Sequence, residues 1–397
     1  MRPHRVVFGS NPPPTPAWLL DRLQAAGGAV PFRTYMDWVL HDPVHGAYGS
    51  GRLRIGPRGD FATSPSLGPA FAQLLVRQLA DWLLALGPGP LALVETGPGE
   101  GQLICQLARL LAAGWPELAT RLELVLVEPN PGMAERQRRR LAPLPLPQRW
   151  TDWAALAAAP VRGVMLAHEV LDALAVERIS WDGSRWSQQQ VALGPDHNLL
   201  LVSGPPLQSW ALAELIALEL DSPIQPWPSG WCSELHPGVA PWLTNAAAGL
   251  AEGHLLVVDY ALEARRYYTP QRCSGTLLAY RNQQASPDPL RDPGHWDLTA
   301  HLCLDNLQQG AVNGGWQWLG CCRQGEALLA LGLAQALHGL QDPSSAADLA
   351  ERLASREALL RLVDPAGLGE FRWIALARGG QGEGLGPRPR FLREPDG

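Results

Sequence analysis

Leu91-Ala92-Leu93-Val94-Glu95-Thr96-Gly97-Pro98-Gly99-Glu100-Gly101-Gln102 is the stretch on which the reading of this chain turns. Residues 91–95 are a short apolar run that ends in an acid, and glycines follow at once. Such a run reads as a buried parallel strand. Residues 102–113 then carry apolar positions at helical spacing. Glycines between a strand and a helix let the backbone pass close to a ligand and aim the first N–H groups of the helix at it. The dinucleotide fingerprint G-x-G-x-x-G would need glycine at position 102, where Gln102 stands.

The same alternation continues outward. Residues 122–127 read as a second strand, ending at Glu128 and Pro129, and residues 131–141 as a second helix with Pro131 in its first turn. Residues 161–167 read as a further strand, running into His168 and Glu169. The order βαβαβ predicts an α/β fold with a doubly wound sheet. G-x-G-x-G is the spacing of doubly wound methyltransferases that bind S-adenosylmethionine (SAM). Glu128 ends the second strand, where a carboxylate can accept from both ribose hydroxyls. The competing reading makes Gly97, Gly99 and Gly101 an ordinary turn and Glu128 a helix cap. Asp152 and Trp153, with Trp150 before them, suit an adenine amino group and ring, although with 16 tryptophans in the chain a packing role is equally good. Glu169 and Asp172 follow the next strand, facing the ligand crevice, and suit a cationic acceptor such as guanidinium. An N-terminal helix cap is the alternative for Asp172.

Composition removes other chemistries. All 32 basic residues are arginine, so a Walker A loop, a kinase active site and Schiff-base chemistry are excluded. With 38 acidic residues the formal charge is −6, which predicts no nucleic-acid partner. Cys105, Cys232, Cys273, Cys303, Cys321 and Cys322 form no C-x-x-C pair, so neither a metal site nor a disulfide framework is expected. The N-terminus lacks a signal peptide's apolar core, and Arg77 and Asp81 break the best candidate membrane span. A cytoplasmic protein is the expectation, with a homodimer open.

Six segments are expected. Residues 1–16 are a proline-rich disordered arm. Residues 17–90 hold N-terminal helices at 18–25, 34–40 (capped by Thr34) and 69–86, with a Gly/Pro/Asp-rich loop at 41–65 of the length that is often functional. Residues 91–175 begin the core. Residues 176–252 are an insertion of short antiparallel strands, a helix at 209–220 and a Pro/Trp-rich loop at 223–231 suited to a partner surface. Residues 253–378 complete the core, with strands at 254–260, 316–323 and 371–378. Residues 379–397 are a disordered tail.

Several separated motifs resemble one family. They include His41-Asp42-Pro43-Val44-His45-Gly46-Ala47-Tyr48, Gly59-Asp60-Phe61-Ala62-Thr63-Ser64-Pro65, the glycine loop, and His168-Glu169-Val170-Leu171-Asp172. Further along stand Val258-Asp259-Tyr260, Asp297-Leu298-Thr299-Ala300-His301 and Asp364-Pro365-Ala366-Gly367. Together they resemble the MidA-type SAM-dependent methyltransferases, the family of the mitochondrial complex I assembly arginine methyltransferase, over residues 32–378. The resemblance implies a class I methyltransferase core with an N-terminal segment folded over SAM. It implies Asp60, Thr63 and Ser64 beside the cofactor with Glu95, Gly97, Pro98, Gly99 and Gly101. It also implies a protein arginine acceptor, on a complex I-type subunit. Tyr48, Phe61, Tyr260 and His301 are the candidate residues around that acceptor, and Glu169, Asp172 and His168 the candidate catalytic residues. The chain departs from the family pattern at His168, Ser66 and Ala261, and at Gln283 or Gln284; Ser66 and His168 are expected near the acceptor. The alternatives are a SAM-binding assembly factor that works by holding a partner, and a nicotinamide oxidoreductase, against which Gln102 argues.

Overall fold

Seven strands hydrogen-bond into one sheet in the order Gln317–Arg323, Arg372–Arg378, Leu250–Asp259, Val161–His168, Leu91–Thr96, Leu122–Val127 and Gln148–Thr151. Neighbours pair in parallel, except that Arg372–Arg378 is antiparallel to both of its partners. The computed structural model describes residues 14–56, 59–221, 226–341, 348–379 and 388–394. Both faces of the sheet are covered, which is why its strands are continuous apolar runs. Along the first strand, Leu91 and Leu93 join a core with the helices Ala70–Ala85 and Gln102–Gly114, while Ala92 and Val94 join the opposite core with Val239–Gly249 and Leu304–Asn313. Strand order reverses between Leu91–Thr96 and Val161–His168, so a ligand crevice opens beyond their carboxyl ends. This is the doubly wound α/β fold expected, with one reversed strand near its edge.

A second, antiparallel sheet is built from Glu177–Trp181, Trp186–Leu193, Leu199–Pro206 and Trp231–Leu235, joined by Ala29–Pro31 from the N-terminal segment. The helices Ala17–Ala25 and Phe32–His41 pack with Val191 of this sheet and with Leu277, Ala279, Trp296 and Leu298. The N-terminal segment therefore shares a core with the insertion, and only Ala70–Ala85 belongs to the main sheet.

Four expectations need correcting. The second helix starts at Phe32 behind Pro31, leaving Thr34 inside it; a proline there removes a backbone N–H that would otherwise need a partner. The resumed core strand begins at Leu250. In the Pro/Trp-rich loop, residues 223–225 lie outside the described residues, and Trp227 and Trp231 pack into the insertion's own core at 8% and 0% exposure. They are not surface anchors for a partner. In the tail, Arg390–Leu392 forms a 3-10 turn whose Phe391 is 1% exposed, with its ring 6.0 Å from Trp82 and 5.3 Å from Trp373. One buried aromatic anchors a segment whose Gly/Pro-rich composition reads as unstructured. The arm at 1–13 and the tail residues 380–387 and 395–397 lie outside the described residues. Among the described residues no helix is long and apolar enough to cross a membrane.

Candidate active site

Gly97, Gly99 and Gly101 have φ of 55°, 51° and 70°, the left-handed region that side chains with a Cβ rarely adopt. A Cβ on Gly97 would lie 3.0 Å from the Val170 side chain, and one on Gly99 would lie 2.7 Å from Ile55. The loop around Pro98 is thus a backbone cradle between Val170, after Val161–His168, and Ile55 of the N-terminal segment. Such a cradle fits a nucleoside-type group held by backbone. Glu95 faces away from it: its carboxylate is buried, accepts the Ile104 N–H at 3.1 Å, and is raised to about 8 by burial. It serves the orphan donors at the start of the next helix.

Glu128 ends the adjacent strand as expected. Its Oε1 accepts from the Asn130 N–H at 2.8 Å and its Oε2 from Gln137 Nε2 at 2.9 Å. Burial raises its pKa against the pull of those two donors. Each oxygen keeps a further lone pair for a ligand hydroxyl. Gln137 is fully buried, also donates to the Gly99 carbonyl at 2.8 Å, and accepts from Trp150 Nε1 at 2.9 Å. Asn130 follows Pro129, caps the helix Pro131–Leu141 through the Met133 N–H at 2.9 Å, and donates to the Tyr48 carbonyl at 3.1 Å. Asp152 is exposed and caps the helix Trp153–Ala158 through the Ala155 N–H at 2.8 Å; Trp153 packs edge-on against Trp242 at 5.7 Å.

The covering segment is fastened from several sides. Asp60 accepts the Arg54 N–H at 2.9 Å and the Asn282 N–H at 3.2 Å, so both its oxygens hold loop backbone. Thr63 precedes the short turn Ser64–Leu67, and Ser66 spends its hydroxyl on the Thr63 backbone at 2.9 and 2.7 Å. Gln102 donates to the Pro65 carbonyl at 2.8 Å. The residue that breaks the dinucleotide fingerprint is a clasp for this segment. Ser64 is held by Gln324 Nε2 at 3.2 Å, and its backbone N–H reaches the Glu169 carboxylate.

Glu169 is the strained point of the site. Its φ is 53°, an unfavourable conformation for a residue with a side chain, and its N–H is held by the Val258 carbonyl at 2.9 Å. Burial, then the charges of Asp172 and Asp259, push its carboxyl well above the usual range. Asp172 is raised to about 7 by burial. No helix starts at Asp172, which rules out the capping reading. Asp259 Oδ2 accepts the N–H groups of Val170, Leu171 and Asp172 at 3.3, 2.9 and 3.2 Å, and its Oδ1 accepts that of Tyr260 at 2.8 Å. Asp259 is therefore the staple that sets the Glu169–Asp172 turn. Burial raises both Asp172 and Asp259, and the charge of Asp172 raises Asp259 further. Sequence reasoning missed Gln137, Asn130 and Asp259 as site residues. A polar residue closing the apolar run 255–258 was the available signal for Asp259, whereas Gln137 and Asn130 lie among polar residues and carry none.

His168 lies against Phe71, ring centroids 5.2 Å apart, and burial lowers it to about 3. Its Nδ1 is 3.4 Å from Glu169 Oε1, but a neutral ring makes no ion pair. Tyr260 borders the carboxylates and packs on Phe371 at 3.9 Å. His301 stacks behind Tyr260 at 5.4 Å and is lowered to about 4 by burial. Phe61 packs into the N-terminal core. Glu169, Asp172, Tyr48 and Tyr260 thus converge; Phe61 and His301 stand behind them.

Residues 74–322 match the family described as "Putative S-adenosyl-L-methionine-dependent methyltransferase". A curated relative, the mitochondrial protein arginine methyltransferase NDUFAF7 homolog of Drosophila melanogaster, is 27% identical over 89% of this chain and 82% of its own length. Protein arginine methyltransferase NDUFAF7 of Danio rerio, also mitochondrial, is 27% identical over 72% of this chain and 69% of its own. A crystal structure from Burkholderia thailandensis, bound to S-adenosyl-homocysteine, superposes with a TM-score of 0.82 at 30% identity, covering 95% of this chain and 94% of that one. The glycine cradle, the strand-end acid and the strand order all agree with a SAM-binding core, and SAM is the cofactor. This chain belongs to that family of S-adenosyl-L-methionine-dependent methyltransferases.

Proposed function

We propose that this methyltransferase methylates a guanidinium nitrogen of a protein arginine, with Glu169 and Asp172 as the carboxylates that hold the acceptor. The observation that carries this reading is the strained Glu169. A left-handed residue persists where the surroundings over-determine it, and here Val258, Asp259 and Ser64 all act to present a carboxylate at the carboxyl edge of the sheet. The relatives named protein arginine methyltransferases support the same acceptor class.

SAM supplies a methyl group on a positively charged sulfur. The backbone of the Gly97–Gly101 loop and the Glu128 carboxylate hold the nucleoside end. The guanidinium is always protonated and its lone pair delocalised, so alignment governs the rate. Glu169 and Asp172 draw the positive charge to the nitrogens that do not react and orient the one that does. The acceptor nitrogen gains the carbon, the carbon–sulfur bond breaks with its electron pair left on sulfur, and the nitrogen sheds one proton. A carboxylate whose pKa is raised is a better base for that proton than an ordinary surface acid. His168 supplies a neutral wall that keeps Glu169 in place.

The acceptor to test first is a complex I-type subunit, following the family resemblance. Purified protein, incubated with methyl-labelled SAM and a lysate from cells lacking this chain, should transfer label to methylarginine recovered after acid hydrolysis. Label found only on other residues would contradict the reading.

A further inference from the structure

We propose that Asp297 is a third acceptor-binding carboxylate, which Tyr48 orients from the cofactor side. This inference rests on the arginine reading above and deepens it. The strand Asp297–Thr299 places Asp297 opposite Tyr280 in the antiparallel pair with Leu278–Arg281. The Ala300 N–H then donates to the Asp172 carbonyl at 3.0 Å, which draws this strand onto the acceptor carboxylates.

Asp297 is 3% exposed, and its carboxylate neighbours the Tyr48 hydroxyl. Among the described residues its Oδ1 has no protein partner, and neither does Glu169 Oε1, on a side chain that is 10% exposed. Buried carboxylate oxygens are normally met by donors. Asp259 shows the structural alternative, because four backbone N–H groups occupy it. Asp297 and Glu169 instead keep unmet oxygens, both within reach of the Asp172 charge, and donors on a ligand would complete both.

Donor arithmetic gives the ligand class. A guanidinium carries five N–H donors in a planar fork. When one terminal nitrogen, with two of them, faces the methyl group, three donors remain on the other two nitrogens. Glu169, Asp172 and Asp297 match that remainder. An ammonium presents all its donors from the reacting nitrogen and cannot satisfy three separated carboxylates while it reacts. Tyr48 adds a link: its carbonyl is held by Asn130, whose own N–H binds Glu128, while its hydroxyl neighbours Asp297. One residue therefore spans the ribose side and the acceptor side.

The test titrates the full chain, saturated with S-adenosyl-homocysteine, with butylguanidine and with butylamine by calorimetry. The wild type should bind butylguanidine in preference to butylamine. Asp297→Asn should weaken butylguanidine by about 10-fold or more while S-adenosyl-homocysteine affinity holds. Tyr48→Phe, which keeps the ring, should fall between the two and stands in if Asp297→Asn does not fold. Equal butylguanidine affinity in the wild type and both variants would overturn the role of Asp297 and leave the arginine reading intact. A wild type that shows no preference for butylguanidine would overturn the arginine reading, and this inference with it.

Discussion

Gln137 donates to the Glu128 carboxylate at 2.9 Å, and the same amide nitrogen donates to the Gly99 carbonyl at 2.8 Å. One side chain therefore locks the strand-end acid to the glycine cradle, and the indole of Trp150 locks the amide in turn. Gln137→Glu removes both donors and sets a second carboxylate against the first. It should weaken SAM binding by about 10-fold or more and cost about 1–3 kcal/mol of stability. Calorimetry with SAM and chemical denaturation check the two effects.

The cradle and the covering segment touch at Gly99 and Ile55. Gly99→Ala forces a left-handed alanine and a Cβ 2.7 Å from Ile55 Cδ1. SAM affinity should fall in that variant. The double variant Gly99→Ala/Ile55→Ala removes the clash and keeps the backbone strain, so it should recover part of the affinity. No recovery would show that the Ile55 contact is irrelevant.

Much of this was legible in the sequence, for definable reasons. The strands at 91–96 and 122–127 and the helix at 131–141 are local: periodicity, Pro131 and the glycine run determine them without help. Glu128 and Glu169 were legible because the topology fixes what lies at strand ends. Asp259 and Gln137 were not, because their importance comes from partners 87–89 and 38 residues away. Gln102 was read only as a missing glycine, although its positive role is the bond to Pro65. His168 read as a candidate catalytic residue; burial, with Phe71 of a helix distant in sequence against its ring, holds it neutral. Composition misled at Phe391, where one anchor outweighs its Gly/Pro-rich surroundings.

That anchor has a measurable weight. Phe391→Ala empties a site bounded by Trp82 and Trp373 and should cost about 3–5 kcal/mol, the usual range for a buried phenylalanine. Deleting residues 388–397 should cost at least as much. A denaturant midpoint unchanged by either alteration would show that the tail is not part of the folded unit.

The acidic pocket should make stability depend on pH. Burial raises Asp172 from an ordinary value of 3.8 to about 7, so between those values the folded state binds a proton that the unfolded chain gives up. Stability contributed by this group is full below about 4 and is lost as pH rises toward 7 and beyond. Asp172→Asn should remove that fall and melt higher than the wild type at pH 8. Glu169, Asp259 and Asp297 face the same group and add to the slope, while Tyr48, Tyr260 and Tyr280, raised above their ordinary value, stay protonated throughout and add nothing to it. Methyl transfer runs in the opposite sense, rising through the same window as the carboxylates ionise to receive a cation. Thermal melts and initial rates across pH 5–9 read both trends.

Glu169 tests the central claim most directly. Cells lacking this chain are complemented with the wild type or with Glu169→Gln, and protein methylarginine is quantified by mass spectrometry, with SAM binding of the purified variant measured alongside. The prediction is that a methylarginine signal disappears on deletion and returns with the wild type. It should stay absent with Glu169→Gln, although that variant still binds SAM. Full return of the signal with Glu169→Gln would contradict the account.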